Sequence, residues 1–291
     1  MNRALIIGVD SSIGSHLYQN LHQAGWDVYA TTRRQSLLSH RFFFLDLSDI
    51  SLPLKHVPSV DVVFLCASIT TIAQSQALPS YAKVINQDAQ IVLTEYFLKL
   101  GCHVIFLSTN AVFDGKQPFY PKHSKVNPVT LYGQYKAAVE QQLMLMSGMI
   151  SIIRFSKVIS QKNSLMQQWV STLRKGLCIY PFDDLFLCPI SIRMASDCLK
   201  TIAENSLFGI MHLSGEKDIT YYEWALCLAN HLAIDLHLVK PKSMLNDTQG
   251  FSGQGPFGSL DMQESYFNIK DLSVKAVLQD SFLPGDEIKY S

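Results

Sequence analysis

The chain has 291 residues, of which 48% are hydrophobic and 16% charged, and its formal net charge is zero. This balance provides no electrostatic attraction to nucleic acid or to an anionic membrane, so neither is expected as a partner. No apolar run reaches the roughly 18 residues that a membrane helix needs. The apolar segment at 4–8 is also too short for a signal-peptide core. We therefore expect a cytoplasmic protein.

The six cysteines are scattered along the chain without C-x-x-C spacing, and the nine histidines are equally dispersed. Such spacing is typical of free thiols in a reducing compartment and gives no set of metal ligands. The sequence therefore predicts neither disulfides nor a metal site.

The first half of the chain alternates short apolar runs with segments of helical periodicity. We predict strands at 3–8, 26–31, 41–45, 61–66, 103–107 and 149–154. We predict helices at 13–24, 81–100 and 131–146, where apolar residues recur at helical spacing. Strands that are apolar throughout and separated by helices are typical of a parallel sheet buried on both faces. The fold is thus expected to be α/β, with a Rossmann-like doubly wound parallel sheet.

The pattern is less regular after residue 155. Helices are predicted at 164–175 and 221–232, and one strand at 209–213 is expected to rejoin the sheet. We therefore predict two domains, an NAD(P)-binding Rossmann domain at 1–155 and a smaller α+β substrate-binding region at 156–291.

A loop that begins and ends with glycine stands between the first strand and the first helix. Glycines permit a tight turn and a close backbone approach, and the helix N-terminus offers N–H groups to a pyrophosphate. This spacing alone also fits a structural turn, but its place at the start of an alternating α/β chain favours cofactor binding. The residues predicted to bind the cofactor here are Gly8, Ser11, Ser12, Ile13 and Gly14.

The end of the second predicted strand reads Thr-Thr-Arg-Arg at 31–34. An acidic residue at this place would bind the ribose 2′-hydroxyl of NAD, and the segment contains none. Arg33 and Arg34 instead suit the 2′-phosphate of NADP, because guanidinium binds phosphate through two charge-assisted hydrogen bonds. The other interpretation is a solvated surface pair. We predict NADP(H) in preference to NAD(H).

Tyr132 and Lys136 lie one helical turn apart on the predicted helix at 131–146. A nearby ammonium favours the phenolate form of tyrosine, so Tyr132 is expected to act as an acid or base closer to neutral pH. The hydroxyl of Thr109, which follows the fifth strand, could hold the substrate oxygen. Y-x-x-x-K alone also fits an ordinary amphipathic helix, but its order after the glycine loop and the serine/threonine strand end is more specific.

Together these residues resemble the extended short-chain dehydrogenase/reductase family, and within it the dTDP-4-dehydrorhamnose reductase-like, sugar-nucleotide-binding proteins. That family carries a strand-end motif like S-T-D-Y-V-F-D-G, which reads S-T-N-A-V-F-D-G at 108–115 here. The family's P-x-x-x-Y-G-x-x-K stretch and the glutamate after it match Pro128, Tyr132, Gly133, Lys136 and Glu140. The resemblance spans about 3–270 and is strongest up to 160.

By this resemblance Thr109, Tyr132 and Lys136 take the catalytic roles. The reaction implied is hydride transfer from NADPH to a keto carbon of a nucleotide-linked deoxysugar. Tyr132 would supply the proton, and Lys136 would hold the nicotinamide ribose. The resemblance further implies that Asp46 and Leu47 flank the adenine and that the ribose side is lined by Cys66, Ala67 and Ser68.

The chain departs from the family pattern at two places in these motifs. Ser11 replaces the middle glycine of the loop, and its Cβ is expected to hold the backbone further from a pyrophosphate. Asn110 and Ala111 replace the Asp-Tyr pair after the catalytic threonine, which removes an acid and an aromatic ring from the substrate side. The substrate is therefore not fixed as dTDP-4-dehydrorhamnose.

Two other functions stay open from the sequence. One is an NAD-dependent sugar-nucleotide epimerase or dehydratase, which Arg33 and Arg34 disfavour. The other is a non-catalytic, NADP-binding regulatory subunit. The beta subunit of methionine adenosyltransferase is similar in fold and also has asparagine after the serine/threonine pair. Relatives often form homodimers, but the sequence identifies no interface.

Overall fold

The computed structural model describes residues 2–49, 57–160, 164–244, 255–263, 266–267, 269 and 271–282. Its strands are β1 (Arg3–Ile7), β2 (Asp27–Thr32), β3 (Phe42–Phe44), β4 (Val62–Leu65), β5 (His103–Thr109), β6 (Ile150–Phe155), β7 (Lys157–Ile159), β8 (Phe186–Leu187), β9 (Pro189–Ser191), β10 (Gly209–Leu213) and β11 (Ile219–Thr220). Its α-helices are α1 (Ser12–Gln23), α2 (Ile72–Ala77), α3 (Pro79–Lys83), α4 (Ala89–Lys99), α5 (Leu131–Leu145), α6 (Ser164–Arg174), α7 (Ile192–Glu204), α8 (Tyr221–His231) and α9 (Val274–Ser281).

Seven strands form one sheet in the order β10-β6-β5-β4-β1-β2-β3. The neighbouring pairs from β6 to β3 are parallel. All four residues of β4 and all six of β6 are buried, as expected for strands that helices cover on both faces. The predicted doubly wound α/β fold is confirmed. The strand order reverses between β1 and β4, and open sheets of this kind bind ligands beyond the carboxyl ends of the strands at that point.

The predicted helix at 81–100 is divided in the structure. A π-helical turn, Val84–Asp88, lies between α3 and α4. The polar residue Asn86 lies within this wider turn and is fully buried. Sequence periodicity cannot show such a turn, because the apolar residues on both sides keep helical spacing.

Helix α7 lies in a segment for which the sequence analysis predicts no helix or strand. Its buried residues recur at helical spacing, so the pattern was present in the sequence: Met194, Ala195, Cys198, Leu199 and Ile202. Helices α2 and α9 were also not predicted, and both are short, with six and eight residues.

The chain divides into two compact units. The first comprises Met1–Asp114, Lys122–Phe155 and Ser196–His212, and it contains β1 to β6. The second comprises Gly115–Pro121, Ser156–Ala195 and Leu213–Ser291, and it contains the two-stranded sheets β7-β9 and β8-β11. Strand β10 joins the large sheet beside β6, as predicted for 209–213. The two-domain division at residue 155 stays a prediction.

A buried ion pair fixes α5 to the sheet of the first unit. Arg154 of β6 donates from Nη2 to Glu140 Oε2 at 2.6 Å and from Nε to Oε1 at 3.0 Å. Ser108 of β5 donates to the same carboxylate at 2.5 Å, and Arg154 Nη1 also donates to the Lys122 carbonyl at 3.0 Å. Both charged side chains are nearly inaccessible to solvent. The ion pair and its hydrogen bonds therefore offset the desolvation cost of burying the two charges.

The six cysteines are all free thiols. In the part of the chain that the structure describes, no His, Cys, Asp or Glu side chains come together in a group of three that could hold a metal ion. Within the same ranges, no helix is both long enough and apolar enough to cross a membrane.

We expect Arg154→Met to destabilise the protein by about 3–5 kcal/mol, because the Glu140 carboxylate would stay buried without its cation. Urea unfolding measures this loss. The matched control is Arg193→Met, which removes an exposed arginine 3.5 Å from Asp280 and is expected to cost less than about 1 kcal/mol. Adding Glu140→Gln to Arg154→Met should restore part of the stability. Equal losses for the two single variants would contradict the interpretation.

Candidate functional site

The loop between β1 and α1 is packed so closely that its two glycines cannot carry side chains. Gly8 has a φ of +91°, and a Cβ placed on it would lie 2.5 Å from the Cβ of Ala67. A Cβ on Gly14 would lie 2.3 Å from the Gly8 carbonyl oxygen. These contacts bring the loop against the end of β4 and begin helix α1 beside it.

Ser11 occupies the N-cap position of α1. Its hydroxyl donates to the Gly8 carbonyl at 2.9 Å and accepts from the Gly14 N–H at 3.0 Å. Its φ of −72° is ordinary for a non-glycine residue. The side chain therefore turns back into the loop, and the structure accommodates the serine as a helix cap. Ser12 and Ile13 follow as the first two helical residues, whose N–H groups have no partner within a helix.

A cavity of about 380 Å³ opens beside this loop. Its walls come from the carboxyl ends of β1, β2 and β4, the segment after β3, and the region of α2, α3 and the π-helical turn. Seven predicted cofactor residues line it: Gly8, Ser11, Arg33, Asp46, Leu47, Ala67 and Ser68. The lining residues that the sequence did not identify are Ile7, Asp10, Thr31, Thr32, Leu45, Ile69, Gln74, Leu78, Tyr81 and Ile85.

The other predicted site residues do not line this cavity. Cys66 is buried, and desolvation raises the pKa of its thiol to about 12, which makes it an unreactive core residue. Arg34 is not among the lining residues and is paired with Asp10, which is one of them. The remaining residues outside the lining are Ser12, Ile13, Gly14, Thr109, Tyr132 and Lys136.

Asp10 brings an acidic side chain to the end of β2, where the segment at 31–34 itself contains none. Its carboxylate reaches across from the glycine loop and accepts hydrogen bonds from Thr32 Oγ1 at 2.8 Å, Arg33 N at 3.0 Å and Arg34 Nε at 2.7 Å. Partial burial alone would raise the pKa of Asp10, but these hydrogen bonds outweigh it and lower the pKa. The acid is more than 20 residues away in sequence, so only the folded chain brings it there.

Asn86 anchors the segment that follows β4. Its side-chain oxygen accepts from Ser68 Oγ at 2.9 Å and from Ile69 N at 2.8 Å, while its amide nitrogen donates to the Ile69 carbonyl at 2.9 Å. This residue was not predicted, although an asparagine among apolar helix residues was the available signal. It fixes the hydroxyl of Ser68 beside the predicted catalytic tyrosine.

The structure brings Tyr132 together with Thr109 and Ser68. Both of these hydroxyls lie within hydrogen-bonding reach of the Tyr132 hydroxyl. Burial raises the pKa of Tyr132 to about 12, and the two hydrogen bonds only partly oppose this shift. We expected a lower pKa, and the direction was wrong because desolvation exceeds any effect of the lysine. The phenol is therefore protonated at neutral pH.

The approach of α5 to the end of β5 depends on Gly133. A Cβ at this residue would lie 2.0 Å from the Ala111 carbonyl oxygen, so a larger residue would displace the helix. Thr130 caps the helix by accepting from the Gly133 N–H at 3.1 Å. These two contacts place the neighbouring Tyr132 next to Thr109.

Lys136 is 2% exposed and lies one turn further along α5. Its Nζ donates to the Leu107 carbonyl at 2.7 Å and stands 6.0 Å from the centroid of the Tyr132 ring. Burial lowers the pKa of Lys136 to about 7, although the nearby Cys66 and Glu140 oppose this shift. The catalytic roles of Thr109, Tyr132 and Lys136 stay predictions, but the three side chains do share one site.

Comparison with known proteins gives three findings. The RmlD substrate binding domain family matches residues 1–250. Methionine adenosyltransferase 2 subunit beta of Xenopus tropicalis is 24% identical over 253 residues, which are 82% of this chain and 75% of that protein. dTDP-4-dehydrorhamnose reductase of Aggregatibacter actinomycetemcomitans is 24% identical over 240 residues, which are 78% of each chain.

Among solved structures, dTDP-4-dehydrorhamnose reductase from Bacillus anthracis in complex with NADP matches with a TM-score of 0.84 and 20% identity. The match covers 96% of this chain and 98% of that one. At this identity, the likeness shows that the two proteins share a fold.

The depressed pKa of Lys136 predicts a pH-dependent stability. Between pH 7 and about 10.5 the unfolded chain binds a proton that the folded chain has lost, so the free energy of unfolding rises with pH. The slope from this one group is at most about 1.4 kcal/mol per pH unit. Lys136→Met should lack this contribution.

Urea unfolding of both proteins at pH 7, 8 and 9 measures the slope. The matched control is Lys99→Met, at an exposed lysine that ends α4, and it should keep the pH dependence of the wild type. A stability difference between wild type and Lys136→Met that stays constant from pH 7 to 9 would refute the prediction.

Proposed function

The chain belongs to the RmlD substrate binding domain family, and we propose that it is an NADPH-dependent reductase of a nucleotide-linked keto-deoxysugar. The observation that carries this proposal is the Tyr132 hydroxyl beside Thr109 and Ser68, at the carboxyl end of β5. The carboxyl ends of β1, β2 and β4 line the cavity in the same sheet. Relatives named dTDP-4-dehydrorhamnose reductase support this reaction class.

The residues around the cavity fit a dinucleotide. The close-packed loop at Gly8 and Gly14 leads into the N-terminus of α1, whose N–H groups suit a pyrophosphate. Arg33 at the end of β2 suits a 2′-phosphate, and Asp46 and Leu47 would flank the adenine. A protein of the same fold is solved in complex with NADP, which supports NADP(H) over NAD(H). When bound, NADPH supplies the hydride that reduces the keto carbon to an alcohol.

Tyr132 suits the role of proton donor to the keto oxygen. A reduction needs an acid that carries its proton at the working pH, as a phenol does. Burial raises the pKa of Tyr132 to about 12 and so weakens it as an acid, and the neighbouring hydroxyls of Thr109 and Ser68 partly oppose that shift. Thr109 and Ser68 would hold the same oxygen by hydrogen bonds, since their hydroxyls already lie beside the phenol. The buried amine of Lys136 fixes the helix that carries Tyr132 and would bind the nicotinamide ribose.

Residues 156–291 would supply most of the recognition of the sugar nucleotide. The substrate class is a nucleotide-linked 4-keto-deoxysugar, and dTDP-4-dehydrorhamnose is the first compound to test. Asn110 and Ala111 stand where the family pattern has an acid and an aromatic ring, so related sugars belong in the same panel. A cytoplasmic location and a homodimer are part of this proposal, and gel filtration tests the latter.

A regulatory subunit is the second candidate function. Methionine adenosyltransferase 2 subunit beta aligns over most of this chain, and this observation favours it. An epimerase or dehydratase that retains NAD is less well supported, because Arg33 lines the cavity where a 2′-phosphate would lie. A binding subunit would bind the dinucleotide without turning over a sugar.

The purified protein should oxidise NADPH in the presence of a nucleotide 4-keto-sugar. We expect Tyr132→Phe to lower this rate by about 10²–10⁴-fold, because it removes the proton donor and keeps the ring. Absorbance at 340 nm follows the reaction. The matched control is Tyr135→Phe in the same helix, whose hydroxyl donates to the Pro79 carbonyl at 3.1 Å and should leave the rate near that of wild type.

One outcome counts against the reductase proposal, namely a wild-type protein that does not oxidise NADPH with any sugar of the panel. If NADP still raises the melting temperature of that protein, the result would support the regulatory candidate. A Tyr132→Phe variant that keeps the wild-type rate would contradict only the role of Tyr132 as proton donor.

A further inference from the structure

The Asp10 carboxylate places a negative charge at the position where a Rossmann sheet recognises the ribose 2′ group. That position is the end of β2, and Asp10 is held there by Thr32 Oγ1 at 2.8 Å and Arg33 N at 3.0 Å. Asp10 also lines the cavity. The charge therefore forms part of the wall that a bound dinucleotide would meet.

The two arginines after β2 are not equivalent. Arg33 lines the cavity. Arg34 does not line it, has 61% of its side chain exposed, and donates from Nε to Asp10 Oδ1 at 2.7 Å. The carboxylate compensates part of the Arg34 charge and directs its guanidinium to the loop. Of this pair, Arg33 is the cation in position to meet a 2′-phosphate.

The hydrogen bonds of Asp10 distinguish between the two dinucleotides. A carboxylate has about four acceptor sites. Asp10 receives three hydrogens: one from Thr32 Oγ1, which lies 2.9 and 2.8 Å from its two oxygens, one from Arg33 N and one from Arg34 Nε. About one site is left for a further donor. A ribose 2′-hydroxyl can donate to that site. A 2′-phosphate carries negative charge at neutral pH and is repelled there.

We infer that Asp10 is a specificity-determining residue that limits the preference for NADP(H) over NAD(H), while Arg33 carries that preference. Asp10 acts in two ways, by repelling the 2′-phosphate and by engaging the Arg34 guanidinium in an ion pair. The inference rests on one part of the proposed function, namely that the ligand of the cavity is a dinucleotide. It predicts that the chain also binds NADH, and that the hydrogen bond from the ribose 2′-hydroxyl to Asp10 contributes to that affinity.

The test is a direct binding measurement without any sugar. Titration of the full chain with NADPH and with NADH, followed by cofactor fluorescence, gives both Kd values and their ratio. The variants are Asp10→Asn, Arg33→Ala, Arg34→Ala and the double variant Asp10→Asn/Arg34→Ala. The matched control is Asp61→Asn, which makes the same charge change at a carboxylate that accepts from Arg3 N before β4.

Asp10→Asn should tighten NADPH binding by about fivefold to tenfold and leave NADH binding unchanged or weaker. Arg33→Ala should remove most of the preference for NADPH, and Arg34→Ala should lower it by a smaller factor, because it removes the charge that partly compensates Asp10. In the Asp10→Asn background, loss of Arg34 should weaken NADPH binding more than it does in the wild type, since the freed guanidinium can then reach the phosphate. Asp61→Asn should keep the wild-type ratio.

The preference for NADPH is the Kd for NADH divided by the Kd for NADPH. A value for Asp10→Asn that is equal to or below the wild-type value would overturn the inference. Arg34→Ala costing as much preference as Arg33→Ala would also overturn it, and this comparison stands even if Asp10→Asn does not fold. Binding of both dinucleotides without sugar turnover would defeat the reductase proposal alone. Binding of neither would defeat the inference together with the proposed cofactor.

Discussion

Three side chains of α5 contact three consecutive residues of β5, and this match determines where the reactive hydroxyl lies. Tyr132, Lys136 and Glu140 are spaced by one helical turn each. The Tyr132 hydroxyl lies beside the Thr109 hydroxyl, Lys136 donates to the Leu107 carbonyl, and Glu140 accepts from the Ser108 hydroxyl. All three contacts are at least partly buried. A shift of the helix by one residue along the strand would break them together, so the geometry of the site is a property of the core packing.

The same site depends on close backbone approach at two glycines. Gly133 allows α5 to rest against the Ala111 carbonyl, and Gly8 allows the first loop to rest against Ala67. The first contact positions the tyrosine and the second shapes the cavity wall. A reductase needs these two parts at the carboxyl edge of the same sheet, and the parallel strands β1, β2, β4 and β5 bring them there.

Much of the fold was predictable because it follows from local patterns. Apolar runs between amphipathic segments indicate buried parallel strands, and the glycine loop and the Tyr132/Lys136 pair are recognisable from their spacing together with their order along the alternating α/β chain. Features that depend on distant residues were not predictable. Asp10 reaches the end of β2 only in the folded chain, and Asn86 is buried within a π-helical turn that the sequence periodicity does not reveal. The direction of the Tyr132 pKa was missed because spacing does not reveal desolvation.

Ser11 has a consequence for how the first loop meets a ligand. A glycine at this place would leave the loop many conformations, and binding would then have to order them. The serine narrows that range through its Cβ and its two hydrogen bonds, so the conformational entropy is lost when the protein folds. A loop that is ordered in advance makes association less costly.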